Sequence, residues 1–138
     1  MNKLFILDTM ILLQAMLSRN SSAYYVLKKA DSLGTLLVSD ATLAELEEKI
    51  RHPKFDKYQS LNRRLAFYHA FSLLALNIDV SIKILACRDP KDDKFLSLAV
   101  TADADCIVSL DADLLVLDPF QGIPILTPAA FLRKFAYT

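Results

Sequence analysis

The sequence predicts an α/β fold with a central parallel sheet and helices on both faces. Three observations predict it. Short continuous apolar runs recur, from Leu4-Phe5-Ile6-Leu7 to Cys106-Ile107-Val108, and such runs mark strands buried on both faces. Segments of helical periodicity separate them. Acidic residues close two of the runs, Asp8 the first and Asp111 a later one. Ligands of such sheets gather outside the carboxyl ends of the strands.

Residues 3–7 are the first strand, ending on Asp8-Thr9. Residues 10–17, apolar on nearly every side, begin a core helix. A turn at 18–22 follows, and Ser22 can cap a helix that ends at Asp31-Ser32-Leu33-Gly34, with Gly34 just past its C-terminus. Residues 36–38 are a second strand. Ser39 or Asp40 caps a helix over 41–51 that turns Leu43, Leu46 and Ile50 inward and carries Glu45, Glu47 and Glu48. His52-Pro53 stops it. The next helix runs from Leu61 to about Asn77. Residues 79–85, DVSIKIL, alternate like an edge strand. Asp89-Pro90 opens another helix, with Asp as cap and Pro at the first helical position. Residues 106–109 are a strand, 114–117 a helical turn, 123–126 the last strand, and Pro128 starts a C-terminal helix.

A chain of 138 residues reads as one domain, 1–138, with a sizeable core. Only two glycines are present, which excludes a glycine-rich phosphate loop. Cys87 and Cys106 fit neither a metal motif nor a disulfide framework and read as reduced thiols. No segment looks like a signal peptide or reaches membrane-spanning length, so the expected location is cytoplasmic. Net charge is zero. Attraction to a nucleic acid would therefore come from a local patch or from metal ions. The concentrated basic region runs from Lys49 to Arg64, with Arg51, Lys54, Lys57 and Arg63 between them. These side chains could contact phosphates. A solvated helix face and loop would explain them equally well.

Seven of the sixteen acidic residues lie between Asp89 and Asp113. Asp89, Asp92 and Asp93 sit where a helix start favours acids in any case. Helical phase does not separate Asp92 from Asp93, and slightly prefers Asp92 near the core side. Asp8 is harder to explain as surface, because it ends a central strand. Asp8 and Asp111 at strand ends, with Glu45 and Asp93 in the first or second turn of helices, converge on one edge of the sheet. Carboxylates meeting without cations raise one another's pKa. Mg²⁺ or Mn²⁺ relieves this through oxygen ligands. One or two such ions would activate water and neutralise a phosphodiester.

The stretches FILDTMIL at 5–12, SDATLAELEEKIRHPKF at 39–55, CRDPKDDKFLSLAVTADADCIVSLDADLL at 87–115 and IPILTPAAFL at 123–132 resemble the PIN-domain ribonucleases. They come in that family's order and cover nearly the whole chain. The resemblance is greatest to toxin components of bacterial and archaeal toxin–antitoxin systems. It implies a three-layer α/β/α fold, Mg²⁺ or Mn²⁺, single-stranded RNA as substrate, an antitoxin partner and a homodimer. It makes Asp8, Glu45, Asp93 and Asp111 the catalytic metal-binding acids. The family's spacing of eighteen residues before the strand-end Asp selects Asp93. Asp113 assists at the metal, with Thr9 and Ser109 supporting. One position departs from the pattern: Met10 stands where the family often has Asn.

The leading expectation is thus a metal-dependent endoribonuclease, the toxin of a toxin–antitoxin pair. An alternative is a catalytically impaired module of the same fold that binds RNA or a protein, which Met10 favours. A third is a phosphatase with Asp8 as nucleophile, although such enzymes usually carry a second Asp where this chain has Met10. Tyr24, Phe67 and Phe71 are apolar residues beyond the needs of one small core and mark a dimerisation patch.

Overall fold

The computed structural model describes residues 2–137. Five parallel strands form one sheet in the order β3-β2-β1-β4-β5. They are β1 (Lys3–Leu7), β2 (Gly34–Val38), β3 (Leu76–Asn77), β4 (Cys106–Val108) and β5 (Ile125–Leu126). The helices are α1 (Thr9–Leu17), α2 (Ser22–Leu33), α3 (Asp40–Ile50), α4 (Leu61–Leu74), α5 (Asp93–Ala102), α6 (Ala112–Leu115) and α7 (Pro128–Lys134). Phe5 of β1 lies opposite Leu36 of β2 and Cys106 of β4. The chain builds outward from β1 to one side, then returns to build the other. The strand order therefore reverses between β1 and β4, which is where such sheets open a crevice.

Alternation along each strand divides the core between the two faces. Phe5, Leu7, Leu36, Val38, Cys106 and Val108 pack with α1, α2, α3 and α7. Ile6, Leu37 and Ile107 pack with α5 and α6 on the other face. This is the expected three-layer α/β/α arrangement. Among the described residues, no helix is long and apolar enough to cross a membrane.

Three local expectations are corrected. Ser21 caps α2, accepting from the Tyr24 N–H, in place of Ser22. Gly34 opens β2 in extended backbone, and does not follow the helix in the left-handed region. A Cβ there would come within 2.0 Å of the Lys3 carbonyl oxygen, so the close approach of β1 requires glycine. The edge strand expected over 79–85 does not form, because pairing on β2 ends at β3 and the Ile78 N–H. The segment beyond is irregular and lies along α5. Its N–H groups at Ile82, Ile84 and Ala86 donate to Thr101 Oγ1 (3.1 Å), Ser97 Oγ (2.9 Å) and Asp93 Oδ1 (3.0 Å). The acceptors are spaced four residues apart on one helix face, and the donors two apart on an extended chain. The alternation was real, but its partner is a helix.

Candidate functional site

The chain leaves β1 at Asp8 and turns directly into α1. Asp8 caps that helix, its Oδ1 accepting from the Ile11 N–H at 3.0 Å. Its Oδ2 accepts the Ser109 hydroxyl and the Leu110 N–H, the latter at 3.3 Å. Ser109 Oγ also accepts from the Asp111 N–H at 2.9 Å. This one hydroxyl fixes the end of β1 against the end of β4. Burial pushes the Asp8 carboxyl above its usual range, and Asp111 adds to the rise, while the bonds from Ser109, Ile11 and Leu110 oppose it.

Asp8, Thr9, Met10, Glu45, Lys49, Lys54, Asp89, Asp92 and Asp111 line a crevice of about 370 Å³ at this edge of the sheet. Carboxylate oxygens of Asp92, Asp111 and Asp113 lie within 4.8 Å of one another. Asp111 caps α6 by accepting from the Asp113 N–H at 2.9 Å. Asp113 pairs with Arg88 at 3.2 Å, but that guanidinium is largely exposed. The Asp92 carboxyl is pushed up to about 7, by burial first and then by the closeness of the Asp111 carboxylate and the charges of Asp89 and Glu45.

Asp92 lines the crevice, and Asp93, the acid that the resemblance selects, does not. Asp93 is buried and faces away from the crevice. Its Oδ1 accepts from the Ala86 and Cys87 N–H groups at 3.0 and 2.7 Å. Those bonds hold its carboxyl below the usual range, against the opposing effect of burial. The physical reason is the turn of 3₁₀ helix at Pro90–Asp92, capped by Asp89, which precedes α5 and rotates Asp92 towards the crevice.

Glu45 reaches the crevice from α3, where Ser39 caps the helix in a reciprocal pair with Thr42. The Thr9 hydroxyl donates to Glu45 Oε2, and the Lys94 ammonium donates to Oε1 at 2.8 Å. Lys94 is a site residue that sequence reasoning missed. Its partner is 49 positions away, so no local pattern marks it.

Of the expected RNA contacts, Lys49 and Lys54 line the crevice. Arg51 pairs with Glu47 at 3.1 Å on an exposed helix face. Lys57 lies over the Tyr58 ring and Arg63 is exposed, neither lining the crevice. Arg64 is corrected outright: it is fully buried and cannot meet a phosphate. Its guanidinium donates to the carbonyls of Ile50 (2.7 Å), His52 (3.0 Å) and Ser60 (3.4 Å) and to the Asp56 carboxylate. It ties the end of α3 to the start of α4.

The donor set suits a hard divalent cation. Every candidate ligand atom in the cluster is a carboxylate oxygen. Asp92 Oδ2 is buried without a hydrogen-bond partner, as expected of an atom placed for an ion.

Comparison with known proteins bears on the family and the fold. Residues 5–113 match the model of the PIN domain family. The uncharacterized protein MJ1680 of Methanocaldococcus jannaschii is 30% identical over 105 residues, covering 70% of this chain and 68% of that protein. Among solved structures, VapBC2 from Rickettsia felis, bound to a DNA fragment from its promoter, superposes with a TM-score of 0.63. That match is 18% identical and covers 90% of this chain and 98% of the other, and it shows a shared fold. The family match takes in Asp8, Glu45, the acidic start of α5 and the loop after β4, and the chain belongs to the PIN domain family.

Proposed function

We propose that this protein is a single-domain, metal-dependent endoribonuclease that cuts single-stranded RNA, and that it is the toxin of a toxin–antitoxin pair. The observation that carries the proposal is the meeting of Asp92, Asp111 and Asp113 at the strand edge beside Asp8, with one buried oxygen unpartnered. Asp92, Asp111 and Asp113 would hold Mg²⁺ or Mn²⁺, with Asp8 beside them. A bound ion would acidify water and neutralise the scissile phosphate. The chain's own residues do the rest. Ser109 and the Leu110 N–H fix the Asp8 carboxylate. Lys49 and Lys54 stand on the crevice wall, where they would position the strand through its phosphates. Engagement of both Asp8 oxygens by hydrogen bonds argues against Asp8 as a phosphatase nucleophile.

The toxin assignment draws on the fold shared with the VapBC2 structure. An antitoxin would cover the acidic crevice. A homodimer would use the groove lined by Tyr24, Leu27, Phe67, Phe71 and Leu74, although Phe71 itself is already buried in the chain's own core. Sedimentation at micromolar concentration would test this, and a monomer would remove the dimer.

A second reading has one observation in its favour. Met10 is 50% exposed on the crevice wall, where its side chain can form no hydrogen bond with the acids. A module that binds RNA or a protein without cutting would tolerate that. Incubating a single-stranded RNA with the protein, in Mg²⁺, in Mn²⁺ and in chelator, separates the two. The proposal expects ion-dependent cleavage, lowered at least about 100-fold by Asp8→Asn. Folded protein that cuts under none of these conditions would favour the binding module.

A further inference from the structure

One corner of the acidic crevice already has its cation. Glu45 is held on both oxygens, by the Thr9 hydroxyl and by the Lys94 ammonium. The Lys94 Nζ also donates to the Lys91 carbonyl at 2.6 Å. The two side chains are only 22% and 17% exposed, so the pair is partly withdrawn from solvent. Lys94 follows the acid pair at the start of α5. The turn that delivers Asp92 to Asp111 and Asp113 thus delivers an ammonium to Glu45. The cluster of mutually close carboxylates contains Asp92, Asp111 and Asp113 and leaves Glu45 out.

We propose that Lys94 is a resident cation that fills the Glu45 corner, so that the chain binds one divalent ion, at Asp92, Asp111 and Asp113. Glu45 is then a positioning residue for the ammonium and not an ion ligand. The inference rests on the reading that the acidic crevice takes a divalent ion, and goes beyond it to the number of ions and the part played by Glu45. The physical reason is competition for one carboxylate. An ion entering the Glu45 corner would displace Lys94. The partly buried ammonium would keep the Lys91 carbonyl as its partner and lose its counter-charge, which is unfavourable. A compact ammonium is also a suitable stand-in, because it is a point charge with three donor directions.

The test is Mn²⁺ binding to the full chain without RNA, followed by titration calorimetry and by the paramagnetic resonance of free Mn²⁺. Wild type is expected to bind one ion per chain. Lys94→Arg keeps the cation and should also bind one. Lys94→Met frees Glu45 and should take up a second, weaker ion, which Glu45→Gln in the same chain should abolish. Glu45→Gln alone should keep the single ion with affinity changed by less than about tenfold, or about 1.4 kcal/mol. Two ions on the wild type would overturn the inference. So would one ion of unchanged affinity on folded Lys94→Met, or loss of the single ion in Glu45→Gln. Absence of any ion from all the variants would overturn both this inference and the ion-dependent function. One ion on wild type with no response to Lys94→Met would overturn this inference alone.

Discussion

Asp92 and Asp93 are neighbours of identical chemistry with opposite environments. One is partly buried and crowded by Asp111, Asp89 and Glu45, and its carboxyl rises to about 7. The other is lowered by two main-chain N–H groups. Their substitutions should therefore separate cleanly. Asp93→Ala strands the Ala86 and Cys87 donors and is expected to cost roughly 2–3 kcal/mol in denaturant unfolding. Its Mn²⁺ affinity should be unchanged under conditions where it stays folded. Arg64→Ala belongs to the same scale. Asp56 is largely exposed, so solvent screens that ion pair. The loss of roughly 3 kcal/mol comes from the stranded carbonyls and the vacated core, and unfolding measurements would read it. At this scale Asp8 and Asp111 were legible in the sequence, because a carboxylate ending an apolar strand is costly unless it has a purpose. Periodicity preferred Asp92 only slightly and the resemblance selected Asp93, whereas the residue on the crevice wall is set by a 3₁₀ turn that no spacing announces. Arg64 read as one more member of a basic run, since burial of a single arginine leaves no mark on composition.

The elements around the site show how the crevice is kept open and fixed. The irregular chain from 78 to 87 is pinned to α5 by Thr101, Ser97 and Asp93, so one helix supplies both the wall of the site and its brace. Ser97→Ala and Thr101→Ala together should lose about 1–2 kcal/mol of stability and speed hydrogen exchange at Ile82 and Ile84. Unchanged exchange there would contradict the brace. The strand-like pattern of this segment was visible in its alternation. Its docking on a helix was not, because serine and threonine acceptors within α5 look like ordinary helix residues. The basic stretch divides by element too. Lys49 and Lys54 line the crevice, Arg51 is paired on a helix face and Arg64 is an internal tie. Lys49→Ala and Lys54→Ala should each weaken RNA binding and reduce its salt slope by about one, with stability changed by less than about 0.5 kcal/mol. Arg51→Ala should leave the slope unaltered.

For the molecule as a whole, the acidic edge links stability to pH and to the ion. Asp92 has a folded value of about 7 against an ordinary 3.8. Its carboxyl therefore favours the folded state fully below about pH 4, and that contribution is lost as pH rises through 7. Asp8 acts in the same direction. Asp93 acts oppositely, and its contribution is lost only as pH falls below its ordinary range. A divalent ion bound at the proposed site would replace the proton at Asp92. The rise in melting temperature caused by Mn²⁺ should accordingly be larger at pH 8 than at pH 5.5, and Asp111→Asn should remove it. The parallel sheet with helices on both faces was legible from apolar runs separated by helical segments, whereas the strand order and the short outer strand β3 were not. The crevice floor was less legible, because it depends on how a three-residue turn and a lysine from α5 meet acids on other elements.

The most direct measurement compares Asp92→Asn with Asp93→Asn in Mn²⁺ binding and in cleavage of single-stranded RNA, both proteins being checked as folded. The site described here expects Asp92→Asn to lose ion binding and cleavage together, and Asp93→Asn to keep both while unfolding at lower denaturant. Loss of ion binding in folded Asp93→Asn, with Asp92→Asn unaffected, would contradict it.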